Sequence, residues 1–127
     1  MAKIVGSIDD RKRPVVRLEV GEQSLLLLVD TGFNCDLLLS PVAALSIGIS
    51  GIGRARTIEL GDGTSAELRQ DRATIPWLGR MRDVRALIAD TWQPRGDDPV
   101  GLVGTELISP HLLLIDFEAR SVEIETQ

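Results

Sequence analysis

An unbroken apolar run at residues 25–29, Leu-Leu-Leu-Leu-Val, ends on an acid, Asp30, and Thr31-Gly32 follows at once. A second apolar run, Leu37–Leu39, begins a few residues later. A segment apolar at every position is expected to be a strand buried on both faces, near the middle of the domain. An ionised carboxylate at the end of such a strand is costly to bury unless it has donors, a proton, or a second carboxylate to share one with. Whatever this chain folds into must satisfy Asp30.

The flanking sequence supplies strands rather than long helices. Lys3–Ile8 reads as a strand, and Pro14–Val20 alternates, with Val16, Leu18 and Val20 on one side and Arg17 and Glu19 on the other. Gly21-Glu22-Gln23 is a short turn that makes a hairpin of Pro14–Val20 and residues 24–29. Ser40-Pro41 has the form of a helix start, Ser as N-cap and Pro at the first helical position, with Gly48 as terminator. Residues 49–56 form a glycine-punctuated loop. Residues 57–60 and 64–68 flank Gly61-Asp62-Gly63, a hairpin signal. Residues 73–79 suggest a further strand and turn, 82–89 another strand, and 90–99, with two prolines and several charges, a surface loop. Leu102-Val103-Gly104 precedes a helical turn at 105–109, capped by Thr105 and stopped before Pro110. Residues 112–117 and 121–124 make a last hairpin. No segment of helical periodicity is long. The pattern predicts a single all-β domain spanning residues 1–127, a closed or nearly closed barrel with one or two short helices.

Composition narrows the function classes. The 127 residues carry two Trp, two Phe and no Tyr, so the core must be aliphatic. A net charge of −5 without a basic patch argues against nucleic-acid binding. The run Arg11-Lys12-Arg13 is flanked by Asp9 and Asp10 and reads as a solvated loop. One cysteine, Cys35, excludes an internal disulfide and a cysteine-based metal site. No signal peptide and no membrane-length apolar run is visible, which predicts a cytoplasmic protein without a membrane partner. Neither a metal nor an organic cofactor is expected.

Asp30-Thr31-Gly32 after an apolar strand, a Gly-bearing hairpin about thirty positions later, and Leu102-Val103-Gly104 before a short helix together resemble the retropepsin-like aspartic proteases. The likeness runs from about residue 16 to residue 124. It is closest to the small prokaryotic members in which Phe follows the Asp-Thr-Gly, as Phe33 does here. The resemblance implies an acid-protease β-barrel in which Asp30 is the catalytic carboxylate. Thr31 would lock two active-site loops together, and Gly32 would turn the backbone and aim an N–H at the carboxylate. Phe33 would line or crowd the cleft. Leu60, Gly61, Asp62 and Gly63 would form the flap over a peptide substrate. Leu102, Val103 and Gly104 would support the active-site loop. Retroviral members usually carry Arg or Asn soon after that glycine; here Thr105 and Glu106 follow, so the bracing must differ or be absent.

Aspartic proteolysis needs two carboxylates close enough to share a proton, one activating water and the other polarising the carbonyl. Two carboxylates that close titrate as a unit. The chain holds one Asp-Thr-Gly, and Asp36, Asp62, Asp71, Asp83, Asp90 and Asp116 sit in no second copy of it. A two-fold homodimer would supply the partner by symmetry. Three other readings stay open: a strand-end Asp30 that bonds only its own backbone, a catalytically silent domain of the same fold acting as a peptide-binding or dimerisation module, and a plain surface hairpin at Gly61–Gly63. Cys35 is expected to fill a small space near the turn. His111 reads as structural or solvated, and Trp77 and Trp92 as packing residues. Residues 121–126 alternate like an edge strand whose partner lies in this chain or in another.

Overall fold

A computed structural model describes residues 2–49, 54–59 and 63–127. Leu60, Gly61 and Asp62 of the expected flap tip lie outside the described residues. Strands β1 (Lys3–Ile8), β2 (Pro14–Val20), β3 (Gln23–Val29) and β4 (Leu37–Leu39) are followed by helix α1 (Pro41–Ser46). Then come β5 (Arg54–Glu59), β6 (Ser65–Trp77), β7 (Arg80–Ile88), β8 (Gly101–Val103), helix α2 (Thr105–Ile108), β9 (Leu112–Asp116) and β10 (Ser121–Glu125). The strands form one sheet in the order β5-β6-β7-β4-β8-β3-β2-β1-β10-β9. The fold is all-β with two short helices, as the sequence predicts. The barrel is only nearly closed, since β5 and β9 end the order among the described residues. Its two arms approach where the β6–β7 turn meets the N-terminal end: a Cβ on Gly79 would touch Ala2 Cβ at 3.4 Å.

Four local expectations change. First, β3 is not buried on both faces. Leu25, Leu27 and Val29 are in the core, while Leu26 and Leu28 are half-buried on the other side of the pleat. Second, residues 65–77 are one continuous strand rather than two, paired with β7 from Arg69↔Ile88 to Trp77↔Arg80. Pro76 does not interrupt it. Third, the N-cap of α2 is Gly104, with no side-chain cap bond, not Thr105. Fourth, β10 is an interior strand, hydrogen-bonded to β1 on one side and β9 on the other, so the edge at that end of the order among the described residues is β9.

The core lies on one face of the curled sheet. Val16 and Leu18 of β2, Leu37 and Leu39 of β4, Val84, Ala86 and Ile88 of β7, Val103 of β8, and Val122 and Ile124 of β10 join the three β3 side chains. It is aliphatic except for Trp77, whose indole N–H donates to the Leu107 carbonyl at 3.1 Å and ties β6 to α2. The Asp9–Arg13 turn is closed by the Asp9 carboxylate, which accepts the N–H groups of Arg11 and Arg13 and the Arg13 guanidinium. Desolvation opposes the charge, but these donors outweigh it and hold the Asp9 carboxyl below its ordinary value.

Helix α1 is short, so its start matters. Ser40 is fully buried, its Oγ accepts the Ala43 N–H at 3.3 Å, and Pro41 opens the first turn. Gly48, with φ +89°, follows the C-cap. Removing the cap by Ser40→Ala is expected to cost about 1 kcal/mol. The readout is the urea midpoint, and an unchanged midpoint would show that the cap carries no stability.

Candidate active site

Two strands adjacent in sequence, β3 and β4, do not pair. The distant strand β8 is inserted between them, parallel to β3 (Leu27↔Gly101, Val29↔Val103) and antiparallel to β4 (Leu37↔Val103, Leu39↔Gly101). The link between β3 and β4, residues 30–36, must therefore pass over the end of β8. That link holds the Asp-Thr-Gly, and the end of β8 runs into Gly104. The sequence-predicted loop and its sequence-predicted support thus meet because of one topological insertion.

Backbone hydrogen bonds hold the crossing. The Asp30 N–H donates to the Val103 carbonyl at 3.0 Å, the Gly104 N–H to the Asp36 carbonyl at 2.9 Å, and the Thr105 N–H to the Phe33 carbonyl at 2.9 Å. Glu106 N–H reaches the Cys35 carbonyl at 3.3 Å. Thr105 adds its hydroxyl, which donates to the same Phe33 carbonyl at 3.3 Å. Thr105 thus braces the loop through both its N–H and its hydroxyl. Gly104 allows the approach: a Cβ there would stand 2.2 Å from the Cys35 carbonyl oxygen, 2.5 Å from that of Phe33 and 2.6 Å from the Phe33 ring. Phe33 is accordingly half-buried against Gly104, and Cys35 is buried beneath the loop.

Asp30 continues the pleat of β3 on the side of Leu26 and Leu28. It is half-buried in the single chain rather than sealed. Its Oδ1 accepts the Gly32 N–H at 2.9 Å, and the Phe33 N–H donates to its carbonyl at 3.2 Å. The first of these bonds is an Asx turn, which an ordinary strand-end aspartate also makes. The second carboxylate oxygen takes no donor among the described residues. Thr31 is exposed, and its hydroxyl makes no hydrogen bond among them either.

The sequence did not mark three further contributors. Asp36 Oδ2 accepts the Arg85 N–H at 2.8 Å, tying the base of the loop to β7. Leu28, Leu102 and Leu38 are lateral neighbours across β3, β8 and β4, all half-buried on the Asp30 side of the sheet. They form an apolar floor running away from the carboxylate. Leu102, Val103 and Gly104 were expected together to support the loop; the pleat buries Val103 fully and leaves Leu102 half-buried on the other face. Of the expected flap, β5 and β6 pair antiparallel up to Glu59↔Ser65, and Gly63 has φ +86°. Trp77 lies in the core, while Trp92 is half-buried beside Ser40, Pro41 and Pro94. Among the described residues no cluster of three metal-ligating side chains occurs and no helix is long and apolar enough to cross a membrane.

No protein-family model matches the chain, and no curated protein matches it. Solved structures do. The crystal structure of a retropepsin-like aspartic protease from Rickettsia conorii superposes with a TM-score of 0.70 at 15% identity, covering 98% of this chain and 90% of that one. EIAV protease complexed with the inhibitor HBY-793 gives a TM-score of 0.50 at 23% identity, over 79% of this chain and 88% of that one. The chain has the retropepsin-like fold. At these identities the likeness is one of fold.

Because the two shortest Gly104 contacts are with backbone oxygens, relaxation of a rotamer cannot relieve them. Gly104→Ala is expected to destabilise the protein by about 2–4 kcal/mol, the range of severe overpacking. A denaturation midpoint equal to that of the unmodified chain would show that the crossing yields easily.

Proposed function

We propose that this protein is an aspartic endopeptidase whose working form is a homodimer, with the two Asp30 carboxylates facing each other across the two-fold axis. One observation carries this reading: Asp30 leaves one carboxylate oxygen without a donor among the described residues, at the centre of a loop otherwise pinned by backbone bonds. A second copy completes it. The opposed carboxylates share a proton, the ionised one draws a proton from water, and the protonated one polarises the scissile carbonyl. The exposed Thr31 hydroxyls reach between the two loops, and Gly32 keeps its N–H on the carboxylate. The Leu28–Leu102–Leu38 floor suits an extended peptide with apolar side chains beside the scissile bond. Leu60, Gly61, Asp62 and Gly63 close over it. The free edge of β9, with Leu112, Leu114, Ile115 and Phe117 exposed, offers apolar surface for the second copy.

Cleavage of an unfolded protein at mildly acidic pH tests the reading. Asp30→Asn is expected to lower the rate by roughly a hundredfold to ten-thousandfold, the span assigned to general acid–base groups. Equal activity or equal inertness in the two proteins would leave the alternative, a catalytically silent peptide-binding or dimerisation module. Assembly has its own test. Activity per chain should fall on dilution, in step with dissociation followed by sedimentation, and excess Asp30→Asn chains should poison the unmodified ones by forming mixed dimers. A fully active monomer would sink the shared-site proposal.

A further inference from the structure

On the core-facing side of β7 the side chains run Ile88, Ala86, Val84, Arg82, Arg80. The first three are buried in the core. The register then places Arg82 beside the buried Ile75 and Arg80 beside the buried Trp77, and lateral partners share a face. Two arginines therefore leave the sheet on its apolar side, where the core ends. They open into a concavity of about 570 Å³ lined also by Ala2, Leu78, His111, Thr126 and Gln127.

The surroundings do not satisfy them. Among the described residues no carboxylate side chain lines the concavity, and neither guanidinium forms an ion pair or hydrogen bond. The other β7 and β6 ion pairs show the contrast: Arg72 is paired with Asp83, and Arg69 with Asp90. His111, half-buried, presents an imidazole without a hydrogen-bond partner among the described residues. In a chain of net charge −5, this gathers two cations and one further N–H donor with no carboxylate side chain among the described residues paired to them. Residues two apart on a strand stand about 6.6 Å apart, close enough for two planar guanidiniums to converge on one oxyanion.

We propose that the Arg80–Arg82–His111 concavity is a binding site for a small dianionic ligand whose phosphate or paired carboxylates are held by the two guanidiniums. The imidazole N–H supplies a third donor, and Leu78 with the edge of Trp77 forms an apolar wall for the rest of the molecule. The site does not depend on Asp30 or on any peptidase activity. Its occupant can be reported by the Trp77 indole, which is hydrogen-bonded to Leu107 at the back of the concavity.

The test is a titration of the ¹⁵N-labelled protein with inorganic phosphate and, separately, with succinate, at mildly alkaline pH where both are dianions, in buffer containing physiological chloride. Trp77 is assigned from a Trp92→Phe variant. Saturable shifts of the Trp77 indole with either probe support the site, and the probe that binds identifies the phosphate or the carboxylate source. Arg82→Gln and Arg80→Gln are each expected to weaken that binding by at least about tenfold, the value of one lost charge-assisted hydrogen bond. Absence of saturable binding by both probes overturns the proposal, as does equal affinity in folded Arg80→Gln and Arg82→Gln variants. If either variant fails to fold, the indole titration of the unmodified chain still decides.

Discussion

The close passage of residues 30–36 over Gly104 is the contact on which the rest of the site depends. Backbone N–H groups from Asp30, Gly104, Thr105 and Glu106 all find carbonyls across or within this crossing. Buried backbone groups that lost these partners would each cost about 1–3 kcal/mol, so the crossing is held collectively rather than by one bond. The geometry requires near-contact between backbones, and only a residue without a Cβ permits it at position 104. The Thr105 hydroxyl and the Asp36 carboxylate then fasten the two ends of the loop, one to α2 and the other to β7.

That arrangement makes the loop rigid while leaving its chemistry unfinished. The single chain gives the Asp30 carboxylate one backbone donor among the described residues and leaves it half-buried. An apolar floor of Leu28, Leu102 and Leu38 extends from the loop. The concavity at Arg80 and Arg82 sits elsewhere on β7 and follows a different logic. There the sheet's core face runs out of apolar residues and turns to fixed positive charge.

Much of the local structure was legible because it depends on short-range chemistry. Ser40-Pro41 starts a helix through a side-chain acceptor and a preset φ, and both act whatever lies around them. Alternation in Pro14–Val20 and the turn at Gly21 specified a hairpin in the same way. The Asp-Thr-Gly at the end of an apolar strand and the Gly104 that follows Leu102-Val103 were visible as separate marks. Errors fell where neighbours in space overruled neighbours in sequence. The leucine run at 25–29 looked uniformly buried, but the pleat sends Leu26 and Leu28 to the face that carries Asp30. Residues 121–126 looked like an edge, yet β1 and β9 take both sides of β10. Asp36 and Arg85 bore no sign of each other.

The sequence by itself determined most of the strand segments, the hairpin turns, that the core is chiefly aliphatic, and that a lone Asp-Thr-Gly stands at a strand end. These follow from side-chain size, φ preference and periodicity, all properties of a few consecutive residues. Tertiary structure alone decided that β8 enters between β3 and β4, and with it which face is floor, which is core and what braces the loop. Backbone hydrogen-bonding groups are the same on every strand, so propensity cannot choose between partners. The choice is made by which arrangement buries Leu27, Leu37, Val103 and their neighbours together, and that sum exists only in the folded chain.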